Sequence, residues 1–524
     1  MVWIEPTDLG LVNRLPVIYY VGLALLGCVW FIGIKHKNYF LPAALILTIS
    51  YLYLAPTIIR EPVWISNSYY PYGESLLINQ NGHLIPNPQA AMVSYRYWPF
   101  FLYFSSGLTT ITGLPTEAIL KFFPVLTVSI YALLTFLILK IKLDTSLAYI
   151  GSAIVLAGLF IRQQYFGPQA IAYIFFLAML LVTSLLFFDK KANKRTLAII
   201  LFALFVITTF THPLTSFISI AIFFAFYLTV RFTDKKAPFK FSKLFLAGTI
   251  IWLAYNSYAA APFFNTAIEH FSQIIMGSRG LTIANETSRT IGSTSMFVNF
   301  AASWAIVGLT CLIAALSIFK ILRTDRTKRS QFAFSIFNVF MLVLFAVFAF
   351  VGEYGAVESY QRAFMFGLVP LSFLSISLLS SKQKILIVFL TILIFLNIPA
   401  QYGSDNFRLA TNSQLDGMAF IANYAPQNIT LVGDFTLYIR YYDPMKSYKV
   451  LDVGLSTPYE HVPNATTLSQ ELNQADYVIV SDLEHNIYMF YIGEDPLEQA
   501  NLTTMNVVYN NGAFSLLGSN STSK

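Results

Sequence analysis

The stretch from 194 to 231, KRTLAIILFALFVITTFTHPLTSFISIAIFFAFYLTVR, decides the fold class of this chain. It contains two apolar runs, 196–212 and 214–230, with basic residues at both outer ends. A helix needs roughly 17–25 mostly apolar residues to cross a bilayer, because its backbone polar groups must be hydrogen-bonded within the segment. The stretch therefore predicts two membrane-spanning helices joined by a tight turn at Thr211-His212-Pro213.

Composition extends this interpretation to most of the chain. Of 524 residues, 56% are hydrophobic and 11% are charged, whereas soluble proteins carry about 25% charged residues. The pI is about 9.0, but the basic residues stand in short clusters between apolar runs, so no nucleic-acid partner is expected. Cys28 and Cys311 lie inside apolar runs and are predicted to be buried hydrophobic side chains, without a disulfide or metal.

The predicted fold is a polytopic α-helical membrane protein with a small C-terminal α/β domain. We predict about twelve transmembrane helices, at 15–34, 39–58, 120–140, 146–161, 168–188, 196–212, 214–230, 244–261, 296–319, 332–351, 361–380 and 385–399. Segment 98–115 is apolar but contains Ser105, Ser106, Gly107 and Thr109-Thr110. We interpret it as a re-entrant or interfacial helix.

The charges predict the orientation. One set of alternate loops holds 20 of the 33 Lys and Arg residues but only 4 of the 26 acidic residues. Cationic loops stay in the cytoplasm, so the chain is predicted to lie in the cytoplasmic membrane with both termini outside. The five Asn-x-Ser/Thr glycosylation sequons all fall on the predicted outer side: Asn285, Asn428, Asn464, Asn501 and Asn520.

The composition becomes polar near residue 400, which divides the chain into a helical domain, 1–399, and an outer domain, 400–524. In the outer domain we predict a helix at 413–424 and strands at 429–432, 448–453, 477–480, 507–509 and 514–517. Asn511-Gly512 predicts a tight hairpin between the last two strands. Asp434 and Asp482 follow strands and are interpreted as turn or cap residues, with ligand contact as the alternative.

Ionisable and amide side chains concentrate at the predicted outer ends of the helices. They are Arg60, Glu61, Glu74, His83 and Arg96 in loop 59–97, Arg162, Gln163, Gln164, Tyr165 and Gln169 in the next outer turn, His212, then Glu269, His270, Arg279 and Arg289, and Glu353, Glu358 and Arg362. Each has a structural alternative: His212 as a helix cap, Arg362 as a snorkelling side chain, Glu61 and Glu74 as solvated acids. Carboxylates suit a general base or metal ligand, and arginine suits a phosphate. The set fits transfer from a lipid-linked phosphate donor, and equally a transport path.

The arrangement resembles the C-superfamily glycosyltransferases, which include the oligosaccharyltransferase and protein-mannosyltransferase families, and in particular their archaeal members. The resemblance covers most of 39–517 and is carried by Asn81-Gly82-His83-Leu84-Ile85-Pro86, Tyr97-Trp98-Pro99, Leu108-Thr109, Thr112-Gly113-Leu114, Tyr165-Phe166-Gly167-Pro168-Gln169, Thr211-His212-Pro213, Arg362 through Pro370, Ala475-Asp476-Tyr477-Val478-Ile479-Val480 and Tyr509-Asn510-Asn511-Gly512. It implies a catalytic or metal-binding acid in the first long outer loop, beneath the C-terminal domain. Many relatives have Asp-x-x-x-His before the Asn-Gly step, where this chain has Asn67 and Pro71.

The leading hypothesis is a membrane glycosyltransferase that uses a polyprenyl-phosphate-linked sugar and a lipid or protein acceptor. Its catalytic residues are predicted to be Glu61 and Glu74, and its substrate-binding residues Asn67, His83, Gln164, Tyr165, His212, Arg279 and Arg362. A divalent metal is the one cofactor that remains open. The alternatives are a non-catalytic scaffold of the cell envelope and, ranked last, a transporter or flippase.

Overall fold

The computed structural model describes residues 9–36, 40–60, 66–84, 93–189, 191–233, 241–275, 294–323, 329–351, 359–404, 411–433, 438–443, 445–446, 448–451, 472–491, 495, 497, 502 and 505–519. Glu61, Arg279, Asp434 and four of the five sequon asparagines lie outside these residues. Asn428 is the fifth sequon and stands in the turn before the first strand.

Helices dominate the first four-fifths of the chain. They are α1 Leu11–Arg14, α2 Val17–His36, α3 Phe40–Ile49, α4 Ala55–Ile59, α5 Tyr69–Asn81, α6 Phe100–Thr112, α7 Thr116–Lys140, α8 Thr145–Gly158, α9 Pro168–Phe188, α10 Lys194–Thr211, α11 Pro213–Phe232, α12 Phe241–Tyr258, α13 Ala261–Ile275, α14 Thr294–Arg323, α15 Arg329–Val351, α16 Ser359–Leu379 and α17 Gln383–Tyr402. A π-helical turn, Ser50–Leu54, joins α3 to α4, and 3-10 turns occupy Ser66–Ser68 and Val93–Tyr97.

Each of the twelve predicted spans coincides with a helix. Within the described residues, nine helices are long and apolar enough to cross a membrane, counting Phe40–Ile59 as one. The spans predicted over α8, α12 and α15 are not among the nine. Helix α8 and the apolar part of α15 are shorter than the nine. The predicted fold class, a multi-pass helical protein with a small C-terminal sheet, is confirmed; its orientation in the membrane stays a prediction.

The segment predicted to be re-entrant or interfacial is a helix that is too short to span. Helix α6 has 13 residues, about 20 Å at 1.5 Å per residue, against a hydrocarbon core of about 30 Å. Its buried hydroxyls face α5, where Thr109 accepts a hydrogen bond from the Asn79 amide at 2.9 Å. This polar contact fixes α5 against the helical bundle.

The C-terminal part is a five-stranded mixed sheet with short helices. Its elements are α18 Asn412–Tyr424, β1 Ile429–Val432, α19 Ile439–Tyr442, β2 Tyr448–Leu451, β3 Tyr477–Ser481, α20 Asp482–Tyr491, β4 Asn506–Asn510 and β5 Phe514–Gly518. The strand order is β2-β1-β3-β5-β4; β1 is parallel to β2 and β3, while β5 is antiparallel to β3 and β4. The predicted hairpin at Asn511-Gly512 is present, with Gly512 at φ 97°. The predicted domain boundary near residue 400 stays a prediction, and α17 continues to Tyr402.

Candidate functional site at the sheet-bearing end of the helices

Helix α5 lies between the helical bundle and the sheet and carries a different set of partners on each face. On one face, Tyr69 packs against Tyr438 and Tyr441, with ring centroids 4.8 and 5.3 Å apart. Tyr72, one turn along, packs on Tyr441 at 5.1 Å and donates a hydrogen bond to Glu117 Oε1 at 2.7 Å. One buried apolar cluster contains residues of α5, α6, α7 and the sheet, so the C-terminal part fixes the orientation of α5.

The next face of α5 carries Glu74, whose side chain is 2% exposed. Arg96 Nη2, from the 3-10 turn, donates to both carboxylate oxygens at 2.8 Å. Burial alone would lower the pKa of Arg96, but the hydrogen bonds and charge of Glu74 raise it above its ordinary value. Glu74 is therefore a partner in a buried ion pair, and a catalytic role for it stays a prediction.

Contacts among tyrosines connect α5 to residues 159–167, the connection between α8 and α9. Tyr70 stacks on Tyr95 with ring centroids 5.5 Å apart. The Tyr95 hydroxyl lies 3.3 Å from the hydroxyl of Tyr165, a predicted site residue. Tyr165 is 8% exposed and Gln164 beside it is 1% exposed. The structure thus brings Tyr165 and Gln164 close to the segment that holds Glu74.

His212 and Arg362 are brought together from separate helices. His212 Nδ1 accepts the Thr215 backbone N–H at 3.2 Å, so it caps α11, as the structural alternative predicted. Burial, and then the nearby Arg362 guanidinium, lower the pKa of His212 to about 3. The imidazole is therefore neutral near pH 7, and its proton is on Nε2 because Nδ1 accepts. The charge of Arg362 therefore acts on the His212 imidazole.

Aromatic contacts place this pair at the same end of the bundle as α5. The hydroxyl of Tyr255 donates to the carbonyl oxygen of Tyr97 at 2.5 Å, and its ring packs on Phe210, two residues before His212, at 4.6 Å. Phe364, two residues after Arg362, packs on Phe160 of the 159–167 connection at 5.5 Å. Segments carrying Glu74, Gln164, His212 and Arg362 therefore meet in one region.

Four amide side chains occur on the 159–167 connection and on α17, two segments that Arg162 joins. They are Gln163, Gln164, Asn397 and Gln401. Six of their buried polar atoms have no hydrogen-bond partner among the described residues: Gln163 Oε1, Gln164 Oε1 and Nε2, Asn397 Oδ1, and Gln401 Oε1 and Nε2.

Two buried arginines contact the end of α17. Arg162 donates from Nε to the carbonyl oxygen of Gln401 at 2.6 Å and from Nη2 to Ser404 Oγ at 2.7 Å. The Arg60 guanidinium lies 4.5 Å from the centroid of the Tyr402 ring. Both side chains are less than 10% exposed. The end of α17 is thus tied to the 159–167 connection by charge-assisted hydrogen bonds.

Two other predicted site residues lie in the described region without joining these contacts. Asn67 is half-buried in the 3-10 turn before α5. His83 is exposed beyond the C-terminal end of α5, with Nδ1 2.9 Å from the Asn81 carbonyl oxygen. Their binding roles stay predictions, as do those of Glu61 and Arg279.

The described side chains do not by themselves provide a metal site. Among the residues that the structure describes, no three His, Cys, Asp or Glu side chains are grouped to hold a metal ion. Both oxygens of Glu74 accept from Arg96. A divalent metal as cofactor stays a prediction.

Sequence analysis named most of these groups but missed several partners. Arg96 and Arg162 were noted as outer-loop cations, yet nothing in the sequence pairs Arg96 with Glu74 or Arg162 with α17. Asn397 and Gln401 stand at the end of an apolar run and gave no signal. A polar residue repeated at i and i+4 in the last turns of a span is the pattern that could have revealed them.

The solved structures that are similar to this chain include two of the protein ArnT. No protein-family model and no curated protein matches the chain. The crystal structure of ArnT from Cupriavidus metallidurans in the apo state is 12% identical with a TM-score of 0.41, and the match covers 96% of this chain and 97% of that chain. The crystal structure of ArnT from Cupriavidus metallidurans bound to undecaprenyl phosphate is 13% identical with a TM-score of 0.39, covering 95% of this chain and 97% of that chain. A similar backbone fold does not by itself assign a function, which has to be argued from the side chains of a site.

Proposed function

We propose that this protein is a membrane glycosyltransferase that takes a sugar from a polyprenyl-phosphate carrier at the outer face of the cytoplasmic membrane. The observation that carries the proposal is that the segments bearing Glu74, Gln164, His212 and Arg362 meet at the end of the bundle that bears α5 and the sheet. A cation beside a neutral hydrogen-bond donor suits the phosphate of a lipid whose apolar chain remains in the bilayer.

The phosphate is the group that gains charge when the sugar leaves. An acceptor oxygen attacks the anomeric carbon, the bond from that carbon to the phosphate oxygen breaks, and the bonding electrons remain on the phosphate. Arg362 stabilises the resulting charge, and His212 Nε2–H donates a hydrogen bond to a phosphate oxygen. Arg279 is proposed as a second cation for the same group, while Tyr165, Gln164, Asn67 and His83 contact the substrates.

The acceptor proton has to be removed by a base. Glu61 and Glu74 are the carboxylates proposed to act as this base. A divalent metal, if one is held by Glu61, would act as a Lewis acid on the acceptor hydroxyl. The ion pair with Arg96 holds the Glu74 carboxylate in one orientation, and an acceptor hydroxyl would have to share that carboxylate with the guanidinium. The acceptor is a lipid or a protein, and Asn67 stands where many relatives have an aspartate.

The proposal includes the orientation of the protein in the membrane and its relation to known proteins. The excess of basic residues in one set of loops supports a topology with the sheet and both termini outside the cytoplasm, where a polyprenyl-linked donor and an envelope acceptor would meet. The lipid named for one of the similar structures, undecaprenyl phosphate, is of the carrier class proposed here. The archaeal character of the sequence resemblance is supported by neither comparison.

A non-catalytic scaffold is the second candidate, and two observations favour it. Glu74 is neutralised by Arg96, and Asn67 and Pro71 replace the acid and imidazole of many relatives. A scaffold of this kind would bind the carrier lipid without consuming it.

Sugar transfer by the purified protein tests the proposal. The protein in lipid nanodiscs is mixed with a radiolabelled polyprenyl-phosphate hexose and an envelope extract as the acceptor source. We expect label in a new product and release of polyprenyl phosphate, with transfer reduced at least 100-fold in either Glu61→Gln or Glu74→Gln. Transfer unchanged in both variants rules out the acid assignment, and lipid binding without transfer favours the scaffold.

A further inference from the structure

We propose that Tyr402, the last residue of α17, is a positioning residue for the start of the first outer loop. Its hydroxyl completes a turn that Pro56 interrupts, and its ring holds Arg60, the residue that precedes Glu61 in the sequence. This inference rests on the proposed function, because it assigns the group that orients the segment leading into one of the two proposed bases.

The interrupted turn follows from Pro56, which is buried in the first turn of α4. A proline has no backbone N–H, and its ring crowds the carbonyl oxygen four residues earlier, which here belongs to Leu52. A π-helical turn precedes the proline, and in it the Ala55 N–H bonds to the Ser50 carbonyl oxygen, five residues back. At that spacing the partner of residue 56 would be Tyr51. The carbonyl oxygens of Tyr51 and Leu52 therefore cannot receive a hydrogen bond from residue 56 at either spacing.

Tyrosine hydroxyls from two other helices donate to these two oxygens. Tyr19 of α2 donates to the carbonyl oxygen of Tyr51, and Tyr402 donates to that of Leu52 at 2.7 Å. Tyr19 is 8% exposed and Tyr402 is 1% exposed. Because backbone polar groups inside a bilayer need partners within the protein, the two hydroxyls stabilise the turn and fix the direction in which α4 leaves it.

The ring of Tyr402 contacts the other end of α4. Arg60 ends this helix with an extended backbone, and its N–H bonds to the Pro56 carbonyl oxygen at 3.3 Å. The buried Arg60 guanidinium lies 4.5 Å from the centroid of the Tyr402 ring, where the face of the ring attracts a cation. Tyr402 thus holds the chain just before α4, at Leu52, and at its end.

Tyr402 can act in this way because both of its neighbours along the chain are held. Arg162 donates from Nε to the Gln401 carbonyl oxygen at 2.6 Å and from Nη2 to Ser404 Oγ at 2.7 Å. The π-helical turn makes its own contact with the same connection, since the Tyr53 hydroxyl donates to the Leu159 carbonyl oxygen at 3.2 Å. The start of the first outer loop, the 159–167 connection and the end of α17 are therefore tied together.

Conservative substitutions separate positioning from simple stabilisation of the fold. Tyr402→Phe removes the hydroxyl and keeps the ring, whereas Tyr402→Leu removes both. Tyr19→Phe removes the second hydroxyl of the turn. Tyr20→Phe is the matched control, because the neighbouring tyrosine also donates to a backbone carbonyl oxygen, that of Val12 at 2.7 Å, but outside the turn.

Three quantities are measured for each variant in nanodiscs: kcat and KM of sugar transfer from a polyprenyl-phosphate hexose, hydrogen exchange of residues 52–60, and the melting temperature. Misplacing a catalytic segment by about 1 Å can cost about 100-fold in rate. We therefore expect kcat to fall about 10- to 100-fold in Tyr402→Leu, and by less in Tyr402→Phe and Tyr19→Phe, while KM stays within about two-fold. All three variants should exchange faster in 52–60, and Tyr20→Phe should keep the wild-type values.

Several results would overturn the inference alone. They are unchanged kcat in Tyr402→Phe, Tyr402→Leu and Tyr19→Phe, unchanged exchange in 52–60, a rise in KM without a fall in kcat, or an equal loss in Tyr20→Phe. A fall in kcat that only parallels the fall in melting temperature across all four variants would reduce Tyr402 to a structural residue. Wild-type protein that transfers no sugar would overturn the proposed function and this inference with it.

Discussion

Removing the charge of Glu74 should destabilise the contact of α5 with the 3-10 turn at 93–97. Glu74 is 2% exposed and Arg96 13% exposed, with 2.8 Å between Nη2 and each carboxylate oxygen. Breaking a buried ion pair at one partner costs about 3–5 kcal/mol, because the other charge stays buried. The residual exposure of Arg96 allows some hydration, so we expect about 3 kcal/mol for Glu74→Gln.

A double-mutant cycle measures this pair and separates structure from chemistry. The variants are Glu74→Gln, Arg96→Gln and their combination, assayed by reversible unfolding in mixed micelles. We expect each single variant to be destabilised and the double variant to recover at least 1.5 kcal/mol of the sum. Glu117→Gln, an exposed acid that accepts from Tyr72, is the control and should stay within about 0.5 kcal/mol of the wild type.

The same variants report on catalysis. If Glu74 is a base, the double variant regains stability but not sugar transfer; if it acts only by holding the 93–97 turn, transfer recovers with stability. A coupling energy below about 0.5 kcal/mol would refute the ion pair as a structural element of the site.

Three further outcomes follow from the described contacts. The pKa of His212 is lowered from 6.5 to about 3 in the folded state, so the unfolded state binds more protons and the free energy of unfolding decreases as the pH falls below 6.5. Between pH 7 and pH 5 the wild type should lose at most about 2 kcal/mol of this free energy. The variant His212→Asn, which still caps α11, should not show this loss. Tyr441→Ala removes two ring contacts with α5, each of which contributes about 0.5–1.5 kcal/mol beyond area burial. This variant should speed hydrogen exchange in α5. The control Tyr424→Ala, at a tyrosine that is 74% exposed, should leave that exchange unchanged. Gly433→Ala places a Cβ 2.9 Å from the Cβ of Ile479 at a residue with φ 154°. The substitution should lower the free energy of unfolding by about 1–3 kcal/mol, which is measured as faster hydrogen exchange in β1 and β3. Unchanged exchange would contradict the packing at the end of β1.

The helical architecture was predictable because lipid imposes a length and an apolar composition on every span. All twelve predicted spans fall on helices, and boundaries at polar caps were accurate: Asp144 accepts the Leu147 N–H at 2.9 Å at the start of α8, predicted to begin one residue later. The strands of the tail were predicted with similar success, because β-branched runs and an Asn-Gly turn are local signals.

The site was only partly predictable because its groups meet through tertiary contacts. His212 and Arg362 could be proposed separately, but their adjacency depends on how α10, α11 and α16 pack. The partners of Glu74 and Gln401 lie 22 and 239 residues away, and no periodicity encodes such a pairing. The contacts of Tyr69 and Tyr72 with Tyr438 and Tyr441 were likewise not predictable, since no local pattern in the sequence pairs these tyrosines.

Sugar transfer by wild-type protein and Arg362→Gln, measured side by side as release of polyprenyl phosphate, tests the central claim most directly. Arg195→Gln is the matched control, because Arg195 is an exposed cation at the opposite end of α10 from His212. A charged hydrogen bond to phosphate contributes about 1.5–3 kcal/mol, so we predict a loss of about 10- to 150-fold in Arg362→Gln and wild-type release in Arg195→Gln. Equal release by all three proteins would contradict the phosphate site, and no release by the wild type with any donor sugar or acceptor extract would contradict the glycosyltransferase itself.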